Sequence, residues 1–133
     1  VDMPPGTGDT QLTFSQEIKM DGAIIVSTPQ EVALLDVKRG IKMFDKLGVK
    51  ILGLVDNMSY FTGDDGKKYK IFGEGGVKRT AEEFGKEFLG EIPLDPEVGK
   101  CGDEGKPIVE ANPGHEISKI YLDFANKIKK SYL

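Results

Sequence analysis

The sequence predicts an α/β fold: a mostly parallel sheet with helices on both faces. Two apolar runs rich in β-branched residues, 23–26 and 49–55, are typical of strands buried on both faces. Between them, apolar residues recur every three or four positions from Leu34 to Leu47, which is typical of an amphipathic helix. Strand, helix and strand in this order form a βαβ unit with a right-handed crossover, and this unit sets the fold class.

The first nine residues predict the end of a buried strand that runs into a glycine-rich loop, Val1–Asp9. At the carboxyl end of a parallel strand, Asp2 could hold Mg²⁺ through water, and Gly6 and Gly8 would let backbone N–H groups approach a terminal phosphate. Ligands of open α/β sheets bind at this edge. A plain Pro-Gly turn is the alternative. Asp9 is expected to cap a short helix over residues 10–18.

The helix between the two strands carries clear boundary signals. Thr28 is the expected N-cap, Pro29 takes the first helical position and Glu31 completes a capping box. Gly48 is expected to end the helix.

The rest of the chain continues the alternation of strands and helices. Asp65-Gly66 predicts a hairpin turn. The other expected elements are a helix over 77–84, a strand over 88–92, a short helix ending at Cys101, an irregular stretch over 102–111 with 107–109 extended, and a last helix capped by Asn112-Pro113. Such alternation indicates one sheet covered on both sides.

Polar and turn residues follow two of the predicted strands where each strand ends. Asn57 comes just after the strand over 49–55, and its amide, both donor and acceptor, could read a nucleobase edge. An Asx-turn is the alternative. Pro93, Leu94 and Asp95 leave the next strand and could form the other wall of a base pocket, although a simple turn would use the same residues.

Composition indicates which classes of partner and which redox compartment to expect. The 133 residues suit one domain, with 38% hydrophobic and 30% charged residues. A net charge of −4 argues against nucleic acid, and no apolar run approaches the ~20 residues of a membrane span, so neither partner is expected. One cysteine, Cys101, fits a reducing compartment and is too few for a structural zinc or a cluster. His115 is expected at the surface.

Five motifs occur in order and together closely resemble the Mrp/ApbC family of P-loop ATPases, which are iron–sulfur cluster carriers related to the ParA and MinD ATPases. The resemblance runs from Val1 to about Val109. The motifs are Val1–Asp9, Ser27–Leu34, Asn57–Phe61, Ile71–Gly76 and Leu89–Pro96.

The resemblance implies roles for the candidate residues. Asp2 matches the Walker B aspartate near Mg²⁺, and Gly6 and Gly8 match the switch II loop that senses the γ-phosphate. Asn57 matches the adenine-reading asparagine, and Pro93 to Asp95 match the loop beside the adenine. The family works as homodimers with ATP near the subunit interface, which implies ATP and Mg²⁺ as cofactors and iron–sulfur client apoproteins as partners.

The resemblance also implies that residues 1–133 are the C-terminal part of a single P-loop ATPase domain, with the Walker A and switch I segments upstream. We expect an ATPase in the intact protein and little ATP binding or activity from these residues alone, because the main phosphate cradle and its lysines are missing. The expected location is the cytoplasm, or an organelle matrix in a eukaryote.

Many relatives carry a Cys-x-x-Cys pair after the Asn-Met-Ser motif, and two subunits then share a 4Fe–4S cluster. Residues 61–69 contain no cysteine, which makes a cluster held in this way doubtful. The alternative is a nucleotide-gated scaffold or regulator that binds no cluster. A third hypothesis, a partition-type ATPase acting on DNA or membrane, agrees poorly with the acidic net charge.

Overall fold

A computed structural model describes residues 1–132 as a three-stranded parallel sheet with helices on both faces and a small antiparallel hairpin. The sheet has the order β1-β2-β5, and β3 and β4 form the hairpin. In chain order the elements are α1 (Asp9–Glu17), β1 (Ala23–Ser27), α2 (Glu31–Leu47), β2 (Ile51–Asn57), β3 (Phe61–Thr62), β4 (Lys68–Tyr69), α3 (Gly76–Glu83), β5 (Phe88–Ile92), α4 (Pro96–Asp103), α5 (Ile108–Ala111) and α6 (Glu116–Tyr132).

Two apolar cores lie on opposite faces of the sheet. The first joins α2, α3 and β2 and includes Ile41, Leu54 and Val77, each fully buried. The second joins β2 and β5 to α4, α5 and α6 and includes Val55 and Ile117. Full burial of such side chains stabilises the fold by roughly 1.5–3 kcal/mol each. The predicted α/β class, with a parallel sheet covered on both faces, is therefore confirmed.

Helix α2 has the predicted apolar face and the predicted end. Leu34, Val37, Ile41 and Phe44 are buried on this face, at spacings of three and four. Gly48 adopts the left-handed conformation with φ 70°, and its N–H donates to the carbonyl oxygens of the last turn. Such a left-handed cap suits glycine, which has no Cβ to clash.

The predicted capping box at the start of α2 is wrong. The N-cap residue is Gln30 and the helix begins at Glu31. The Thr28 hydroxyl donates to the Gln30 side chain at 3.1 Å and accepts no N–H from the first turn of the helix. Pro29 is buried, and its carbonyl oxygen would lie 3.0 Å from a Cβ at Gly76. This close packing against the start of α3 holds the segment before α2 extended.

Strand β1 differs from the prediction of burial on both faces. Ile25 packs on the core beneath α2, but Ile24 and Val26 are 42% and 57% exposed. The reason is the position of β1 at the edge of the described sheet, since α6 packs against β5. The expected strand end at Val1 is likewise wrong: residues 1–4 form no strand in the structure, and Val1 is exposed.

Two helix starts and one segment, residues 108–111, differ from the predictions, whereas the hairpin is as predicted. The N-cap of α1 is Gly8 rather than Asp9, and residues 108–111 are helical rather than irregular or extended. Helix α6 starts at Glu116, so Asn112-Pro113 does not cap it directly. The Asp65-Gly66 turn joins β3 to β4 as predicted, with Gly66 at φ 75°. None of the helices within residues 1–132 is long and apolar enough to cross a membrane.

Candidate functional site

The carboxyl ends of β1 and β2 border a cavity of about 420 Å³, which we call the rim cavity. Its lining includes Gly6 from the N-terminal loop, Ser27 and Thr28 at the end of β1, and Asn57 at the end of β2. Its volume is within the range of small-molecule sites, and its place at the strand ends is where open α/β sheets bind ligands. Two candidate residues that are 51 positions apart in the chain, 6 and 57, thus share one cavity.

The loop that carries Gly6 is held by a side chain that sequence reasoning did not single out. The amide nitrogen of buried Gln11 donates to the carbonyl oxygen of Pro4 at 3.2 Å and to that of Pro5. Gly6 has φ 100°, a conformation that L side chains rarely adopt. A glutamine in the first turn of a short helix follows no motif, so only the folded loop reveals this role.

Asp2 and Gly8 lie outside the rim cavity. Asp2 is exposed and lines a second cavity of about 730 Å³, between the N-terminal segment and the outer side of β1. Gly6 borders both cavities, so Asp2 and Asn57 face neighbouring spaces rather than one. Gly8 is the N-cap of α1 and lines neither space.

The segment Pro93–Asp95 lies beside Asn57 on the same edge of the sheet. Asn57 pairs with Ile92, the Ser59 N–H donates to the Ile92 carbonyl at 3.0 Å, and the Leu94 N–H donates to the Tyr60 carbonyl at 2.7 Å. These bonds continue the parallel pairing of β2 and β5 beyond the strands themselves. The two segments predicted to contact a base are therefore adjacent, although Pro93–Asp95 does not line the rim cavity.

The polarity of the rim cavity suits a base and a ribose better than a triphosphate. Among its lining residues the only charged side chain is that of Asp36, which is negative. Asn57 supplies an amide, and Ser27 and Thr28 supply hydroxyls. The phosphates could meet backbone N–H groups at Gly6, but these residues bring no cation to neutralise them.

Asp2, which lines the second cavity, has a side chain suited to Mg²⁺. The exposed carboxylate of Asp2 is the hard oxygen donor that Mg²⁺ accepts, directly or through water. Within residues 1–132 no group of three or more His, Cys, Asp and Glu side chains could hold a metal ion. The described residues can therefore contribute to a magnesium site but do not enclose one.

A buried acid lies directly before Asn57. The Asp56 side chain is 1% exposed, and neither of its carboxyl oxygens has a hydrogen-bond partner among the described residues. The Asp56 pKa is raised to about 6, mainly by burial and secondly by the neighbouring Glu91 carboxylate, while the Lys70 ammonium opposes the shift. The Lys70 ammonium lies 3.4 Å from a Glu91 carboxylate oxygen. Asp56 lies just past the predicted strand over 49–55, whereas β2 extends to Asn57 and buries this side chain.

Comparison with known proteins identifies the family. The family model for ParA, described as "NUBPL iron-transfer P-loop NTPase", matches residues 1–129. The chain belongs to this family. An Arabidopsis thaliana relative named "Iron-sulfur protein required for NADH dehydrogenase, mitochondrial" is 52% identical over 98% of this chain. The "Iron-sulfur cluster transfer protein NUBPL" of Mus musculus is 46% identical over 96% of it.

Solved structures show a similar fold. A nucleotide-binding protein from Archaeoglobus fulgidus in complex with ADP, with Co found in it, has a TM-score of 0.69 and 42% identity over 78% of this chain. The MinD cell division protein of Aquifex aeolicus has a TM-score of 0.70 over 96% of this chain at 20% identity, and shows the fold alone. The resemblance to the Mrp family of P-loop ATPases is confirmed by the family model and the named relatives, and the likeness to MinD is one of fold.

The chain spans only part of its relatives. It covers 42% of the Arabidopsis protein, 40% of the mouse protein and 43% of the Archaeoglobus chain.

Proposed function

We propose that this chain supplies the adenine-reading side and the γ-phosphate-sensing loop of the nucleotide site in an ATP-dependent iron–sulfur cluster carrier. The observation that carries the proposal is the meeting of Gly6 and Asn57 at the rim cavity. Membership of the iron-transfer P-loop NTPase family supports it, and so do relatives named as iron–sulfur cluster carrier and transfer proteins.

Each candidate residue takes a defined part in this proposal. The Asn57 amide donates to and accepts from the adenine edge, and Pro93–Asp95 form the neighbouring wall. Gly6 and Gly8 keep backbone N–H groups free to respond to the γ-phosphate. Asp2 holds Mg²⁺ through water, and the ion when bound supplies charge neutralisation at the phosphates.

The iron–sulfur cluster is cargo, and client apoproteins receive it. A homodimer is part of the proposal, because Val32 and Leu35 expose apolar side chains in the first turns of α2, where Ala33 and Asp36 line the rim cavity. A contact surface next to the nucleotide would let ATP binding alter subunit association. The cytoplasm is the proposed location, or an organelle matrix in a eukaryote, as the name of the Arabidopsis relative suggests.

Nucleotide binding by the full-length protein and its variants tests the proposal. We expect Asn57→Ala to weaken Mg²⁺-ATP binding roughly tenfold, because a hydrogen-bonded amide contributes about 1–1.5 kcal/mol. Asp2→Ala is expected to lower Mg²⁺-dependent hydrolysis. Asn126→Ala, a substitution of an exposed asparagine in α6, is the matched control. Isothermal titration and phosphate release are the measurements, and ATP affinity unchanged by Asn57→Ala would contradict the role of Asn57.

A second candidate function is a nucleotide-gated scaffold or regulator that carries no cluster. Residues 61–69 contain no cysteine, and the one cysteine of the chain, Cys101, is buried in the second core. The two proposals differ in one measurable property, whether the purified protein holds iron and sulfide.

A further inference from the structure

One of the five sequence motifs, Ile71–Gly76, lines neither of the two cavities. It leads from the hairpin into α3, whose N-cap is Gly75 and whose first residue is Gly76. Gly73 has φ 116° and Gly75 has φ 67°, conformations that favour glycine. The motif therefore brings backbone with few side chains to the start of α3.

Gly73 and Gly76 both lie against the carbonyl oxygen of Pro29. A Cβ at Gly73 would lie 3.2 Å from this oxygen, and a Cβ at Gly76 would lie 3.0 Å from it. The Cβ at Gly76 would also lie 2.6 Å from Cδ1 of Leu34 in α2. The two backbones thus approach each other more closely than any residue with a side chain would allow.

The backbone on which these glycines pack carries one wall of the rim cavity. Ser27 and Thr28 directly precede Pro29, and Asp36 belongs to α2; these three residues line the cavity. A shift of the Pro29 carbonyl therefore moves part of the cavity wall, although neither glycine lines the cavity itself.

The polar atoms of this wall are hydrogen-bond acceptors. The Ser27 hydroxyl donates to the Thr28 carbonyl at 2.9 Å, and the Thr28 hydroxyl donates to the Gln30 side chain at 3.1 Å. Both hydroxyl protons are thereby occupied, while lone pairs remain on both oxygens. The Asp36 carboxylate is acceptor-only and accepts from Arg39 at 3.2 Å. We call Ser27, Thr28 and Asp36 the acceptor wall.

An acceptor wall selects the part of a nucleotide that it can bind. Phosphate oxygens are acceptors too, so they gain no hydrogen bond here. The hydroxyl groups of a ribose are donors and match the free lone pairs. Ser27 pairs with Asp56 in the sheet, one residue before Asn57, so the wall lies one strand away from the amide proposed to read the base.

We propose that the acceptor wall binds the sugar hydroxyls of the nucleotide, and that Gly73 and Gly76 are positioning residues that hold this wall in place through the Pro29 carbonyl. This inference rests on the proposed nucleotide site and adds to it the part of the ligand that β1 and α2 recognise. The two glycines touch no ligand and are not catalytic residues.

The experiment measures Kd for Mg²⁺-ATP and for Mg²⁺-2′,3′-dideoxy-ATP by isothermal titration on the full-length protein, together with Tm. The ratio of the two Kd values reports the sugar hydroxyls alone, because base and phosphates are the same in both ligands. We expect wild type to bind ATP about tenfold more tightly than the dideoxy nucleotide, through the lost hydrogen bonds.

Three variants test the wall and its support. Thr28→Val keeps the shape of the side chain and removes its acceptor, and Gly73→Ala and Gly76→Ala displace the Pro29 carbonyl without changing a residue that lines the cavity. Each is expected to lower the preference for ATP over the dideoxy nucleotide about threefold to tenfold.

Two matched controls separate positioning from loss of stability. Gly85→Ala introduces a side chain at φ 62° with no heavy atom within 4 Å, so it strains the backbone as Gly73→Ala does but moves no wall. It is expected to lower Tm and to keep the preference. Gly102→Ala, in α4 and also without a neighbour within 4 Å, is the control for Gly76→Ala and is expected to keep the preference.

The outcomes separate this inference from the proposed function. Wild type that binds ATP and the dideoxy nucleotide equally well overturns the role of the acceptor wall and leaves the nucleotide site standing. A preference that survives both Gly73→Ala and Gly76→Ala overturns the positioning role, and so does an equal loss in Gly85→Ala, which would indicate destabilisation alone. Wild type that binds neither nucleotide overturns the proposed function, and the inference with it.

Discussion

At the scale of single residues, Asp56 shows how burial changes the chemistry of one carboxyl group. Its side chain is 1% exposed and has no hydrogen-bond partner among the described residues. Burial disfavours the charged form and raises its pKa from 3.8 to about 6. At pH values between these two pKa values, Asp56 is ionised in the unfolded chain and protonated in the folded chain.

This difference predicts how stability depends on pH. Because the folded state holds the proton more tightly, the free energy of unfolding falls as the pH rises from about 4 through 6 and stays low above that. Asp56→Asn removes the titration. We expect the loss of stability between pH 4 and pH 7 to be smaller by roughly 2–3 kcal/mol in this variant.

Urea unfolding at several pH values measures the effect of Asp56→Asn. The quantity compared is the slope of the unfolding free energy against pH. A buried, unpaired amide changes the unfolding free energy by the same amount at every pH and so leaves this slope unaffected. Asp103→Asn, in an exposed part of α4, is the control and is expected to follow the wild-type slope. Parallel pH curves for Asp56→Asn and wild type would show that Asp56 keeps an ordinary pKa.

Sequence reasoning found residues that end a strand and missed residues that act from elsewhere. Asn57 was identifiable because an apolar run ends just before it, and the structure places it at the strand edge. Gln11 holds the loop before α1 by donating its side-chain amide to the carbonyl oxygens of Pro4 and Pro5. The contact joins residues close in the chain, but a glutamine in a first helical turn matches no loop motif, so nothing in the sequence indicated it.

At the scale of secondary-structure elements, strand β5 depends on a glycine. Gly90 has φ 146°, and a Cβ at this position would lie 2.9 Å from a ring carbon of Phe124 in α6. We expect Gly90→Ala to lower the free energy of unfolding by roughly 2–4 kcal/mol, through both backbone strain and the clash. Urea unfolding is the measurement.

Gly99→Ala in α4 is the matched control for Gly90→Ala. A Cβ at Gly99 meets no heavy atom within 4 Å, and the position is helical. Alanine is therefore expected to stabilise by about 0.5–1 kcal/mol. A Gly90→Ala protein as stable as wild type would mean that β5 and α6 can separate without cost.

The pattern of apolar residues predicted most helices and strands but not which of their faces are covered by other elements. The βαβ unit and the hairpin follow from spacing and turn residues, and both occur in the structure. Burial of β1 on both faces did not follow, because an apolar run does not reveal which of its faces a helix covers. The capping box at Thr28 failed because the packing of Pro29 against α3 overrides a local preference.

At the scale of the whole molecule, the single buried cysteine limits how a cluster could be held. A 4Fe–4S cluster takes four cysteine ligands, and two copies of this chain would bring two. Cys101 is also packed among Ile92, Ile108 and Phe124 in the second core. We therefore expect Cys101→Ser to leave the iron and sulfide content unchanged after anaerobic reconstitution.

Iron and sulfide per chain, with the absorbance spectrum, are the measurements for Cys101→Ser. A stable, stoichiometric cluster in both wild type and variant supports the carrier and rejects the scaffold that binds no cluster. Loss of the cluster in Cys101→Ser alone would contradict the structural role of this thiol. Wild-type protein without iron favours the scaffold.

The parallel order of β1, β2 and β5 also bears on the whole molecule. Alternating strands and helices predicted a parallel sheet, but the placing of β2 between β1 and β5 depends on contacts between residues that are far apart in the chain. The meeting of Gly6 with Asn57 depends on the same order, so the candidate site was predictable residue by residue and not as one cavity.

Strand β2 contributes to both apolar cores, Leu54 to one and Val55 to the other. Loosening either face removes support from the same strand, so neither core can open while the other stays intact. The amide protons of these two residues should consequently exchange with deuterium only when the entire domain unfolds, and their protection should report the global stability.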